Sequence, residues 1–246
     1  MLQLASLIAV IAAWQVISGP IINSYYLSTP RAVFSQIVLW ITSGALWPHL
    51  VSTLVTTLVG FAIAAAVAIP LALWISSHPF VDRVLSPMIY AAYSMPKIVL
   101  APALILWLGI GHLPAVTLSA VTAFFLVFFN FYLGLKQVPS IYADTAALLD
   151  ASGLDTALKF RLPAASAHLA TGISQGLIYA FHGALVGEMT ASDTGMGYLI
   201  LFAGSKMDST GVMAGLMIVG TLALLLTRFL NFAFRTVVQP GAEGHV

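Results

Sequence analysis

Six stretches of this sequence are long and apolar enough to leave water, and they constrain the fold more than any motif does. They run approximately Leu2–Ser18, Leu50–Ile75, Leu85–Leu108, Pro114–Leu135, Ala167–Gly187 and Val212–Phe234. Crossing the hydrocarbon core of a bilayer takes about 20 mostly apolar residues. Only 7% of the 246 residues are charged, against roughly 25% in an ordinary soluble domain. A chain so poor in charge cannot clothe a water-facing surface, so its main solvent is lipid. The expected fold is an all-α membrane protein of about six spans, forming one domain over 1–246 with its core over about 50–237. The first run lacks the basic leader and small-residue cleavage site of a signal peptide and reads as a span. The third holds Pro96 and Pro102, which predict a kink or a split.

The same composition excludes several functions. There is no cysteine, hence no disulfide framework and no thiolate metal site. A formal net charge of +1 lacks the basic footprint of a nucleic-acid binder. No metal is expected, because the intramembrane His182 has no second histidine or carboxylate at ligand spacing. No nucleophile and base stand together, so no catalytic residue is assigned. Gly204-Ser205-Lys206 has Leu199 where a phosphate-binding loop needs its earlier glycine. The chain therefore carries no recognisable nucleotide site, and any ATP must be bound and hydrolysed by another polypeptide.

Lysine and arginine set the orientation of short loops. With six spans, both termini share one side with Arg83, Lys136, Lys159, Arg161, Arg228 and Arg235, while Arg31 and Lys206 lie opposite. That bias predicts cytoplasmic termini and a cytoplasmic loop over 136–166. The loop concentrates charge in Asp144, Asp150, Asp155, Lys159 and Arg161. It also reads as helical. Ser140 is placed to cap a helix, Tyr142, Ala146 and Leu149 share a face, and Ser152-Gly153 is a stop signal. A second short helix ends at Leu162-Pro163. Its charges could merely be solvated. Its alanine and leucine content argues instead for a surface with a partner.

The segment DTAALLDASGLDTALKFRLPAA, from Asp144 onward, resembles the EAA loop of membrane subunits in binding-protein-dependent ABC importers. Asp144, Thr145 and Ala146 stand at the Glu-Ala-Ala places, Ala151 and Ser152 follow, and Leu162-Pro163 closes the pattern. The glycine of that pattern falls on Asp150, and Gly153 lies three residues later, so either could supply the turn. LSTP at Leu27–Pro30, MPKIVLAPALILWLGIG at Met95–Gly111 and GEMTASDTGMGYLI at Gly187–Ile200 are similar to the nitrate/sulfonate/taurine branch. The resemblance implies a type I permease subunit that pairs with a second one, expected to be a homodimer. Two cytoplasmic ATPase subunits would grip the loops, and an extracytoplasmic solute-binding protein would deliver the solute. It assigns ATPase coupling to Asp144, Thr145, Ala146, Leu149, Asp150, Ala151, Ser152, Gly153, Lys159 and Arg161. Within that branch the solute is open: sulfonate, nitrate, taurine or a related small molecule. The expected location is the inner membrane.

Two further patterns concern the pathway. Gly172, Gly176, Ala180, Gly183 and Gly187 lie on one helical face, and small residues let helices approach closely in lipid. The stripe suits static packing or a sliding gate. Polar groups inside spans are costly on a lipid face and mark pathways, which nominates Lys97, Gln175, His182 and Glu188. Interface snorkelling, ion pairing or packing are the alternatives. A secondary transporter driven by an ion gradient is the other functional reading. It would show inverted repeats and midplane carboxylates, which this sequence lacks. An intramembrane enzyme would need convergent catalytic groups.

Overall fold

The structure, a computed structural model, describes residues 2–238. Among these residues the regular elements are all helical: α1 (Leu2–Ile17), α2 (Pro30–Thr42), α3 (Leu46–Ser77), α4 (Pro79–Ser94), α5 (Ala101–Leu108), α6 (His112–Lys136), α7 (Ser140–Leu148), α8 (Gly153–Asp155), α9 (Leu162–Ala164), α10 (Ser166–Ala191), α11 (Met196–Ser205) and α12 (Ser209–Val238). A 3-10 turn, Lys97–Leu100, joins α4 to α5, and a π-helical stretch, Thr156–Arg161, joins α8 to α9.

Four helices are long and apolar enough to cross a membrane: α3, α6, α10 and the Ser209–Leu230 part of α12. A fifth crossing is the broken pair Pro79–Ser94 and Lys97–Leu108, bent by 86°. Pro96 lacks a backbone N–H and sits extended at the break, where Met95 is extended too. The split expected from the prolines is thus real. The expected first span is α1, whose 16 residues fall short of the usual crossing length. Two helices lie in segments that read as connections. Thr29 caps α2, accepting a hydrogen bond from the Ala32 N–H at 3.2 Å with Pro30 in its first turn. α11 spans only 10 residues.

The centre of the bundle is α6, flanked by α3 and α10. Ala68, Ala72 and Ile75 of α3 pack with Val127, Phe128, Phe131, Tyr132 and Leu135 of α6. Against α10 the contact is closer, because backbone meets backbone. A Cβ added at Gly172 would lie 3.1 Å from the Val127 carbonyl oxygen, and one at Gly183 would lie 2.8 Å from that of Leu118. Gly176 faces Val127 and Gly187 faces Ala115. Ser119 of α6 sits at the junction of all three helices. Its hydroxyl donates to the Ala180 carbonyl at 2.9 Å, and Gly60 of α3 closes over the same side chain. In lipid no hydrophobic effect drives helices together, so dispersion and hydrogen bonds at such contacts must hold them.

Replacing Gly183 with Leu should separate α6 from α10, whereas Gly220→Leu on α12 meets open space. The expected result is a thermal midpoint in detergent lowered by about 5 °C or more for Gly183→Leu, as overpacking of 1–3 kcal/mol implies. Gly220→Leu should leave the midpoint unchanged.

Candidate functional site

The helix α7 starts at Ser140 with Pro139 in the cap place, so Ser140 does not cap it. Its end answers the question of the turn. Asp150 has φ +51°, in the left-handed region, whereas Gly153 does not. The Asp150 N–H donates to the Ala147 carbonyl at 3.1 Å and the Ala151 N–H to that of Ala146 at 3.0 Å. These two bonds make a Schellman motif, which places a left-handed residue one step past the cap. Asp tolerates that conformation better than most side chains. Asp150 therefore makes the turn itself, and Gly153 begins α8 with open space around it.

The rest of the loop is organised by its own side chains. Ser152 caps α8, accepting from the Asp155 N–H at 3.1 Å while its hydroxyl donates to Asp155 Oδ2 at 2.7 Å. Lys159 pairs with Asp155 Oδ1 at 2.6 Å. The Lys159 bond, then the Ser152 hydroxyl, holds the Asp155 carboxyl below the usual carboxylate range. Arg161 turns inward: its guanidinium donates to Ser77 Oγ at 2.8 Å and to the Ser76 carbonyl at 3.2 Å. Lys159 and Arg161 were expected to set register with a partner, but here both bond within the chain. Ala146 is buried, Thr145 is half-buried with its hydroxyl on the Ile141 carbonyl, and Ala151 is half-buried. Asp144, Leu149, Asp150, Ser152 and Gly153 are exposed. Leu148 beside them is 87% exposed.

Next to this loop a second polar knot joins α4 to α6. Asp82 Oδ2 pairs with Lys136 at 2.5 Å, and Asp82 Oδ1 accepts from Ser86 at 2.8 Å and from the Tyr132 hydroxyl. The sequence uses Lys136 only for orientation and does not single out Asp82, whose Tyr132 partner lies 50 residues away.

The four pathway candidates separate. Glu188 is fully buried at the other end of the bundle. Its Oε2 accepts from the Thr53 hydroxyl at 2.7 Å and from the Gly197 N–H at 3.1 Å. Thr53 Oγ1 in turn accepts from the Met196 N–H at 2.8 Å, and His49 Nδ1 accepts from the Gly195 N–H at 3.1 Å. Gly195 has φ +108°, and its Cα lies so close to the Glu188 carboxyl that a Cβ would collide with it. The side chain thus pins the turn between α10 and α11 onto α3. Thr194, in that turn, bonds to Ser52 at 3.2 Å. Nothing in the sequence singles out Thr53, His49, Gly195 or Gly197 individually. The Gly-x-Gly spacing carried the available signal.

Gln175 and His182 instead lie exposed on α10, on the side away from the glycine stripe. Gln175 Oε1 accepts from Asn130 at 3.1 Å, and His182 stacks edge-on to Tyr179 at 5.7 Å. Lys97 opens the 3-10 turn of the broken span. Its ammonium donates to the Tyr93 carbonyl and lies 4.5 Å from the Phe125 ring centre. It makes no pair with Glu188. No group of three or more histidine, cysteine or carboxylate side chains that could hold a metal occurs among the described residues.

Residues 60–244 match the family described as binding-protein-dependent transport system inner membrane component. A Haemophilus influenzae protein, provisionally named an ABC transporter permease, is 32% identical over 82% of each chain. A Bacillus subtilis protein, provisionally named an aliphatic sulfonates transport permease, is 27% identical over 94% of this chain and 84% of its own. The taurine transport system permease of Escherichia coli is 25% identical over 87% of this chain and 79% of its own. Among solved structures, an inward-facing MetNI methionine ABC transporter chain shares the fold. Its TM-score is 0.67 at 19% identity, covering 76% of this chain and 93% of that one.

Removing the Glu188 carboxyl leaves the Gly197 N–H without its acceptor and turns the Thr53 hydroxyl to its other one, the His49 carbonyl at 3.1 Å. Glu188→Ala should lower stability by about 1–3 kcal/mol, and Glu188→Gln, which keeps a carbonyl oxygen, should recover most of it. Chemical denaturation in detergent reads both. In the loop, Asp150→Gly should relieve a left-handed side chain and gain about 1 kcal/mol, while Gly153→Ala should change stability by less than about 0.5 kcal/mol. Hydrogen exchange of the 146–151 amides reports the difference.

Proposed function

Because this chain belongs to the family of binding-protein-dependent transport system inner membrane components, we propose that its 140–164 segment is the handle by which a separate ATPase moves the bundle. The chain is a permease subunit of a type I ABC importer. That membership replaces the alternative of an ion-driven secondary transporter. It also makes the protein a multi-pass inner-membrane subunit that works with an ATPase and a solute-binding protein.

The observation that carries the handle is the exposure of Leu148 and Leu149, 87% and 67%, on a short helix stopped by its own Schellman motif. Large apolar side chains on a loop outside the bilayer fit a protein partner. Asp144 and Asp150 flank them and suit the rim of such a contact. Arg161 then acts inside the permease, passing motion of the handle to the end of α3. The handle faces the cytoplasm, as the lysine and arginine bias argues, and the end of α12 shares that side; the amino terminus joins them only when α1 counts as a sixth crossing. ATP is bound by the partner, two copies of which serve a homodimer of this chain.

Gln175, Tyr179 and His182 form an exposed polar strip on a membrane-crossing helix. A lipid-facing position would be costly, so this face of α10 lines the pathway that a second copy closes. Glu188 holds the wall in place without touching solute. The names of the sulfonate and taurine relatives support a small organosulfonate as the solute.

The test is co-purification with the partner ATPase. Leu148→Asp should abolish association while the variant still inserts and extracts as a folded protein. Arg161→Ala should keep association but lower transport-coupled ATP hydrolysis at least 10-fold. Unchanged association of Leu148→Asp overturns the handle. A cysteine at position 148 should react with an impermeant thiol reagent only in inside-out vesicles.

A further inference from the structure

We propose that the cavity under the break in the α4–α5 span binds a small organic anion with a compact apolar body, with Lys97 as its charge partner. The inference rests on the permease reading above and adds a solute site between α3, the break and α6, apart from the α10 face. The cavity holds about 510 Å³ and is lined by Ile63 and Val67 of α3, Met95 and Lys97 at the break, and Phe124 and Phe125 of α6. That volume is in the range of small-molecule sites, which are mostly apolar with a few placed polar groups. Lys97 is the one charged residue among the lining side chains.

The state of that ammonium points to an anion. It has three N–H donors. One goes to the Tyr93 carbonyl, and the Tyr93 and Phe125 rings lie 4.8 and 4.5 Å away. Among the described residues no carboxylate lies within ion-pair distance of it. Asp82, on the same helix as Tyr93, is taken by Lys136, and Asp155 by Lys159. A cation in a membrane-crossing segment without an anion is costly. Ring faces offset part of that cost and leave donors for oxygen atoms. The backbone break sets Lys97 there: Pro96 and the 86° bend turn the chain so that residue 97 opens a new helical turn beside the cavity.

The same geometry limits the class. A lysine is a point charge that does not select planar over tetrahedral oxyanions. The walls are aliphatic and aromatic, so a bare hydrated inorganic anion would lose its water for a single cation. An anion with a short apolar tail satisfies both parts of the site. An organosulfonate and the headgroup of an anionic lipid share this chemistry.

The permease–ATPase complex in phosphatidylcholine nanodiscs, titrated with 1-butanesulfonate by calorimetry, tests this. Saturable binding is expected, weakened at least 10-fold by Lys97→Gln and kept by Lys97→Arg. The chain has no cysteine, so Lys97→Cys offers a rescue. Aminoethyl methanethiosulfonate rebuilds an ammonium and should restore binding, whereas methyl methanethiosulfonate should not. Equal binding by Lys97→Gln, or equal restoration by both reagents, overturns the proposal. Nanodiscs of phosphatidylglycerol separate the sources. If they abolish butanesulfonate binding, the site belongs to a lipid and the solute assignment falls. ATPase association is read in the same samples. Its absence would sink the permease reading, while its presence with no Lys97 dependence sinks only this one.

Discussion

The near-contact of the α6 and α10 backbones is the constraint on which the rest of the structure hangs. Lipid gives apolar side chains little reason to prefer one another, so specificity in this bundle must come from shape and from a few polar bonds. Glycines on α10 let the Val127 and Leu118 carbonyls approach, and Ser119 donates across the gap to Ala180. With those two helices fixed, α3 has one groove to occupy, and Gly60 lets it settle over Ser119. The stripe that could have served packing or gating is occupied by packing. The opposite face of α10 is the one left open.

The charged side chains that bond within the described residues lie at the two ends and at one break. At one end Arg161 grips the Ser76 carbonyl and the Ser77 hydroxyl at the end of α3, and Asp82 ties α4 to Lys136 and Tyr132 of α6. At the other, Glu188 and His49 hold the α10–α11 turn. These are the places where backbone leaves the helix and its N–H and C=O groups need partners.

What could be read from the sequence follows the range of the interactions. The long spans were legible because each is a local property of about twenty consecutive residues. The broken span was legible from Pro96 and Pro102. α2 and α11 were not, since 13 and 10 residues are too short for a crossing and Arg31, Ser35 and Gln36 interrupt the apolar run of α2. The loop was found by its pattern, yet its bonding was not: Arg161 reaches Ser77 across 84 residues and Glu188 reaches Thr53 across 135. Asp150 could not be decided either. Both Asp and Gly end helices, and only the backbone tells which residue carries the left-handed angle.

The length of α3 has its own consequence. Between Ser76, which receives Arg161, and Thr53, which meets Glu188, lie 23 residues of continuous helix, about 35 Å at the usual rise. One stiff strut thus connects the two polar ends of the protein. Pro70 interrupts its hydrogen-bond ladder near the Arg161 end. Bending of the strut is easiest at that proline, where a backbone N–H is missing from the ladder. The geometry of a single residue therefore sets how straight the link between the two polar ends can be.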